Sequence, residues 1–498
     1  MTLPWFSGGL AIGLLLSVCA PLSGQCTADS PDSKRAAAEL ERIDRDNGRL
    51  VASQNADGLA ALYAQDAVSA WPQFVVRGRE AIRDLYRMIL PPDNPHAAWI
   101  PETVTACGSI AVERGTTLWT WDSRQIPKAF RYLAYWRREK SGWRIESDNL
   151  TEVELGQVLD DFASQLPQAV QVQTQNQRTE MRLKATLARV AEPVIRDRAL
   201  HWALEQHMND YGIKDLGSLV SEFEQACGDA ALRADIRARY DKEVAAIRNV
   251  NIRQYKSVGG VGLDAYLCLP ADSAAGARRP AFVFFHGGSW TAGTPAWDLG
   301  SCQHYAAKGM VGVSIEYRLV LPHGGSAVQA MADAKSAIRW LRAHAAEFGV
   351  DPDRIVAAGF SVGTHLSAAA ATIEGFEEPG EDLGISSRPN ALVLWSACVD
   401  VAHDGYFRSL LRGQAEPAAC SPPEHIRSGL PPTLIVQGSE DDMCPAENAR
   451  RYCERMQAAG NRCEYHVFEK SGHFIFNGHG KEIMALSDSF LASLKYLP

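Results

Sequence analysis

None of the 11 cysteines sits in a C-x-x-C pair, so zinc-ribbon and thioredoxin-like chemistry lack their usual ligands. A basic excess is missing too. The 50 Lys and Arg stand against 59 Asp and Glu, a net charge of -9, which argues against a general nucleic-acid binder that must neutralise phosphates. There is no polybasic membrane patch and no tandem repeat of useful period. After the first segment no apolar run is long enough to cross a bilayer, so no stable membrane span is expected.

The first segment is apolar from Gly9 to Ala20 and small-residue-rich from Ala20 to Gly24, which reads as a secretory signal over residues 1–24. Val18 and Ala20 suit cleavage after Ala20, but Pro21 would follow that cut, so a site nearer Gly24 is an equal candidate. No Lys or Arg precedes the apolar stretch. An uncleaved anchor and a lipoprotein modified at Cys19 are the alternatives, and Val18 fits the second poorly. A secreted or periplasmic protein is the expectation. Ten cysteines would remain after either cut, five of them late (Cys398, Cys420, Cys444, Cys453 and Cys463), and disulfides are expected there without a legible pairing.

At 498 residues the chain predicts roughly three domains, taking about 150 residues for each. Residues 33–154 form the first. Leu40, Ile43, Leu50 and Val51 share one helical face, a short helix follows in ADGLAALYAQDAVSAW, and a third runs from around Gly78 to Leu90. ETVTACGSIAVERGTTLWTWDS, AFRYLAYWRRE and GWRIESDNLTE then read as strands, so the class is α+β. Trp71, Phe74, Trp119, Trp121 and Trp136 are expected as core and pocket-wall aromatics. Residues 155–250 are rich in helix formers and read as a helical connector with solvated charged faces. His201 and His207 there lack a third ligand, so no metal site is expected. From residue 251 to 498, apolar strands alternate with helices, which predicts a mostly parallel sheet covered on both faces.

DPDRIVAAGFSVGTHLSAAA sets Ser361 between Gly359 and Gly363, where a strand gives way to a helix. A nucleophile on such a sharp turn needs small neighbours, and its hydroxyl needs a base steadied by a carboxylate. TLIVQGSEDDMCP places Asp441 just past a strand, and YHVFEKSGHFIF places His473 after another. The order Ser, Asp, His, at intervals of about 80 and about 30 residues, leaves room for sheet elements between them. Glu440 and Asp442 compete for the acid, and His466 and His479 for the base; Asp441 fits after the strand, His466 lies within a strand and His479 follows a turn. AFVFFHGGSW offers the amides of Gly287 and Gly288 for an oxyanion, with the Val362 amide after the nucleophile as a further donor. His286 reads as a structural loop histidine. Trp290 is a candidate substrate-binding residue that could instead pack the loop.

HGGSW, SIEYRL, GVDPDRIVAAGFSVGTHLSA and VQGSEDDMCP resemble the α/β-hydrolase superfamily, within it the acetyl esterase and hormone-sensitive-lipase-like group. The group includes xylan acetyl esterases and feruloyl-esterase-like enzymes, which commonly carry GFSAGGHLA; Val362 and Thr364 replace small residues here. That resemblance implies hydrolysis of short-chain, acetyl-type carboxylic esters through an acyl-enzyme on a Ser-His-Asp triad, with no cofactor or metal. DGLAALYAQDAVSAWPQFVVRGREAIRDLY, SIAVERGTTLWTW and YLAYWRREKSGWRIESD resemble the SnoaL-like and ketosteroid-isomerase-like domains of the nuclear transport factor 2 superfamily, which are cones with an apolar pocket. Trp71 stands where isomerase members carry an aspartate base, which counts against isomerase chemistry. The expected protein is therefore an exported esterase on small-molecule or glycan-linked esters, with an amino-terminal module for binding or homo-oligomer formation. An amidase or peptidase of the same fold and a non-catalytic binding protein are the rival readings.

Overall fold

A computed structural model describes residues 26–90, 93–166, 174–271, 276–320 and 325–497. The proposed signal segment and Cys19 lie outside these residues. Among the described residues the chain forms two compact units, one of 26–166, 178–204 and 218–236, the other of 174–177, 205–217 and 237–497.

The first unit begins with α1 (Pro31–Ala52), which the Ser30 hydroxyl caps by accepting the Ser33 amide at 3.2 Å. Two short helices, α2 (Ala56–Ala60) and α3 (Arg79–Ile89), flank strands β1 (Tyr63–Trp71) and β2 (Phe74–Arg77). Four long strands follow: β3 (His96–Cys107), β4 (Ile110–Trp121), β5 (Arg124–Glu139) and β6 (Gly142–Val153). They make one six-stranded sheet in the order β2-β1-β6-β5-β4-β3, antiparallel except where β1 runs parallel to β6. Its concave face packs on α1 and α3 around Leu40, Ile82, Trp119 and Trp136, and a Cys26–Cys107 disulfide ties the segment before α1 to the end of β3. Phe74 departs from the core role expected of it: on the short outer strand β2 it is 38% exposed.

The stretch from 155 to 250 is helical, as α4 (Leu155–Ser164), α5 (Gln175–Arg189), α6 (Pro193–Tyr211), α7 (Gly217–Ala226) and α8 (Ala230–Ile247). Its residues are shared out between the two compact units. His201 bonds Asp235 at 2.8 Å, and among the described residues no group of three metal-type side chains converges and no helix is long and apolar enough to cross a membrane.

The second unit is an eight-stranded sheet. Its strands are β7 (Asn251–Val258), β8 (Val261–Cys268), β9 (Arg279–Phe285), β10 (Val311–Ile315), β11 (Val350–Phe360), β12 (Ala391–Trp395), β13 (Thr433–Gly438) and β14 (Cys463–Phe468), in the order β14-β13-β12-β11-β9-β10-β8-β7. All neighbours from β14 to β10 are parallel, and β8 and β7 extend the edge antiparallel. Strands buried on both faces must be apolar throughout, and β9, β10, β12 and β13 contain only buried residues apart from Arg279. Helices α9 (Leu299–Ala307), α10 (Ala327–Ala343), α11 (Ala345–Phe348), α12 (Val362–Thr372), α13 (Gly405–Leu410), α14 (Ala446–Ala458) and α15 (Phe476–Ser493) complete this unit. The ends of β9, β11 and β13, and the turn after β14, point their following loops to one edge of the sheet, which is where a parallel α/β sheet gathers its chemistry.

Candidate active site

Ser361 occupies the turn between β11 and α12 with φ 55° and ψ −127°, a left-handed conformation that costs a non-glycine residue energy. The glycines around it are needed for close approach. A Cβ on Gly359 would run into the carbonyl group of Gly363, and one on Gly363 into the carbonyl oxygen of Phe285. The Ser361 amide is held by the Trp395 carbonyl at 3.1 Å, so the turn is braced by β12. Thr364 stands where the resemblance predicts a small residue, and it braces the same turn. Its hydroxyl donates to the Ser361 carbonyl and accepts the Cys398 amide at 2.9 Å.

Asp441 and His473 are brought together. Nδ1 of His473 lies 2.9 and 3.0 Å from the two Asp441 carboxylate oxygens, and both residues are only 5% exposed. The carboxylate is held by three further donors: the Met443 amide at 3.1 Å, the Cys444 amide at 2.8 Å and Nε2 of Gln437 at 2.8 Å. Together these donors fix the carboxylate beside the His473 ring. The His473 carbonyl accepts the Ser396 hydroxyl at 2.6 Å, which fixes the backbone of the histidine turn. His466 lies on β14, paired across to Val436, and His479 stacks on Phe468 while bonding Ser471 and Glu482. Neither is placed with Asp441. In this structure Oγ of Ser361 is 3.9 Å from Sγ of Cys398, its one side-chain partner among the described residues, and it is not hydrogen-bonded to His473.

The loop after β9 carries the oxyanion candidates. Gly287 lies against Ser361: a Cβ built on it would be 3.3 Å from Cβ of that serine. Gly288 has φ 101°, and a Cβ there would collide with the Ala292 carbonyl. The Tyr317 hydroxyl lies 2.9 Å from the His286 carbonyl and 3.2 Å from that of Gly287. Because C=O and N–H point in opposite directions across a trans peptide, those bonds turn the Gly287 and Gly288 amides away from Tyr317. Val362 opens α12, where the first-turn amides have no intrahelical acceptor.

His286 is fully buried, its Nδ1–H donates to the Gly287 carbonyl at 2.7 Å and its ring stacks on Tyr317 at 4.3 Å. Burial pulls its pKa down to about 4, so it is a neutral loop support. Trp290, which the sequence left between a substrate-binding and a loop-packing place, is 0% exposed and packs edge-on to His365 and Phe407 at 4.9 Å each.

Several residues of the site were not singled out from sequence. Gln437 joins Asp441 to the loop after β12, its Oε1 accepting the Ala397 amide at 2.7 Å. A polar residue closing the apolar run TLIV was the available signal. Disulfides join Cys398 to Cys444 and Cys453 to Cys463, and Cys420 is a free buried thiol. Phe360 packs against the His473 ring at 5.1 Å and stacks on the 61%-exposed Phe474 at 6.1 Å, which gives the site one aromatic wall.

Known proteins share both units. Residues 263–405 match the BD-FAE family and residues 49–147 match the SnoaL-like domain. A probable isoprenylcysteine alpha-carbonyl methylesterase of Arabidopsis thaliana is 29% identical over 42% of this chain and 48% of its own length. Esterase LipC of Mycobacterium tuberculosis is 30% identical over 41% of this chain and 54% of its own. The chain thus spans about half the length of these curated relatives. Among solved structures, Thermogutta terrifontis esterase 2 is 41% identical, with a TM-score of 0.49, over 50% of this chain and 97% of that one.

Proposed function

We propose that this chain, in which a SnoaL-like domain precedes a BD-FAE domain of the α/β-hydrolase fold, is an exported carboxylic ester hydrolase acting on short-chain, acetyl-type esters. The observation that carries this reading is the His473–Asp441 pair, buried and saturated with donors, on the same sheet edge as a serine held in a strained turn. Relatives named as an esterase and a methylesterase support it.

In the proposed reaction Ser361 turns about χ1 toward Nε2 of His473, since a catalytic hydrogen bond often tightens only with substrate present. Oγ attacks the ester carbonyl carbon while its proton passes to His473; Asp441 holds the ring orientation and stabilises the imidazolium. The carbonyl electron pair moves onto oxygen, where the Gly287, Gly288 and Val362 amides receive it. Collapse expels the alcohol, which takes the proton from His473. Water, activated by the same histidine, then splits the acyl-serine to acid and free Ser361. The Phe360–Phe474 wall would border the bound ester.

Export is supported by the apolar first segment and by three disulfides among the described residues, which suit an oxidising compartment. The test is hydrolysis of 4-nitrophenyl acetate, butyrate and octanoate by the purified protein beside Ser361→Ala and His473→Ala. Turnover of the short esters, abolished in both variants, is expected. Wild-type protein inert on every ester, or variants as active as wild type, would sink the assignment.

A further inference from the structure

We infer that the cavity of the amino-terminal unit is a binding site for a small organic ammonium group. The cavity measures about 30 Å³, whereas one water needs only about 10–15 Å³ on that scale, so it suits a head group of a few atoms. Its walls include Trp71, Trp99 and Trp119, with Trp119 edge-on to both others at ring separations of 6.1 and 5.4 Å. Three carboxylates face the same space, Asp44 from α1, Glu113 from β4 and Asp148 from β6. Among the described residues no Lys, Arg or His lines it. Aromatic faces together with carboxyl groups that no basic side chain neutralises are surroundings that suit an alkylammonium.

Unmet hydrogen bonds call independently for an occupant. Among the described residues, Asn47 Oδ1, Trp119 Nε1 and the Tyr132 hydroxyl are buried and without a partner. Asp44 and Glu113 bond each other's carboxyl groups, which takes a shared proton, and Asp148 takes the Ser69 and Tyr63 hydroxyls. Asn47, Trp119 and Tyr132 are each more than nine-tenths buried and line the cavity. Buried polar atoms are nearly always satisfied, so an occupant is called for. An occupant that donates to Asn47 Oδ1 and carries positive charge can stand in for the protons that the three carboxyl groups hold there.

The titratable groups facing the space are Asp44, Glu113, Asp148, Tyr63, Tyr86 and Tyr132, with Glu41 and Glu102 acting from further out. Burial pushes Asp148 up to about 6 and Glu113 up to about 7, raises Asp44 as well, and keeps the three phenols neutral. A bound ammonium would release the protons that the carboxylates otherwise retain, so its affinity rises with pH through this range.

The inference is independent of the ester-hydrolase reading. Its test is a tryptophan-fluorescence titration of the full chain with methylammonium chloride and with choline chloride, against equal sodium chloride. A saturable change with at least one organic salt is expected. It should weaken at least about tenfold from about pH 8 to about pH 5, and by a similar factor in Asp148→Asn and Glu113→Gln, as one ion pair is lost. Trp99→Phe, a conservative wall variant, should weaken it several-fold and decides the matter if either carboxylate variant fails to fold by circular dichroism. A flat titration, an identical response to sodium chloride, or unchanged affinity in the folded variants overturns the inference; the first leaves the cavity to water and the second to an inorganic ion.

Discussion

Asp148 in the amino-terminal unit and Asp441 in the hydrolase unit are both buried carboxylates, yet they are treated in opposite ways. Asp441 receives two backbone amides, a glutamine amide and a histidine. Asp148 receives side-chain hydroxyls instead, that of Tyr63 at 2.8 Å and that of Ser69. The same holds around them: Ser396 and Gln437 are fully engaged, whereas Asn47, Trp119 and Tyr132 each keep an unsatisfied atom, and Asp44 bonds another carboxyl group, that of Glu113. An unpaired buried polar group costs about 1–3 kcal/mol, so the difference is one of use. A carboxylate whose donors are all built in serves one fixed geometry. One left short of donors responds to what enters, be it proton or ligand.

The sharpest way to break this contrast is at the proposed nucleophile. Ser361→Ala should lower kcat on short 4-nitrophenyl esters by about 10⁴–10⁶-fold while circular dichroism stays unchanged; a smaller loss would mean that the saturated network serves the fold alone. Asp441→Asn, which keeps the shape but offers His473 the wrong tautomer, should cost about 10⁴-fold, read in the same assay.

The buried carboxyl groups of the amino-terminal unit make a prediction about pH. Glu113 and Asp148 have folded-state pKa values of about 7 and about 6, above ordinary values of 4.5 and 3.8, so the folded state holds more protons than the unfolded one in between. Their contribution is therefore fully present below about pH 4 and is lost as pH rises through 6 to 7, at a cost of about 3 kcal/mol for each group. Melting of the amino-terminal unit should show that decline, and Glu113→Gln with Asp148→Asn should flatten it. A decline that persists in the double variant would place the titration elsewhere.

Two smaller effects refine the hydrolase side. Tyr317→Phe frees the His286 carbonyl and leaves that of Gly287 to the His286 ring alone, so the proposed oxyanion amides lose alignment; kcat should fall roughly tenfold with KM nearly constant, a split that a general packing defect would not give. Phe474→Ala removes the exposed half of the aromatic wall and should raise KM a few-fold for butyrate, with kcat held.

Much of this was readable in the chain because it is local. The strained turn at Ser361 announces itself through Gly359 and Gly363, and Asp441 and His473 through their places after β13 and β14. The support around them was not, because it comes from segments distant in sequence: Gln437 meets Ala397, Tyr317 meets His286, and Cys398 meets Cys444. Trp290 shows the limit for single residues, since composition cannot tell an aromatic wall from an aromatic plug. The edge strand β7 was hidden because NIRQYKSV, largely unburied on both faces, lacks the apolar run that marked the central strands. In the first unit the β-branched and aromatic residues of β4 and β5 marked them as strands, but that Asp44 and Glu113 would meet at one cavity was not legible.

The Cys398–Cys444 bridge closes a ring of chain that begins beside the Ser361 hydroxyl and ends at an amide holding Asp441. A protease that cut the segment between those cysteines, where Tyr406 stands 51% exposed, would produce two fragments that still travel as one molecule until a reductant is added. The nick would leave both ends of the acid's tether anchored, so the damaged chain keeps its register where an unbridged one would drift apart.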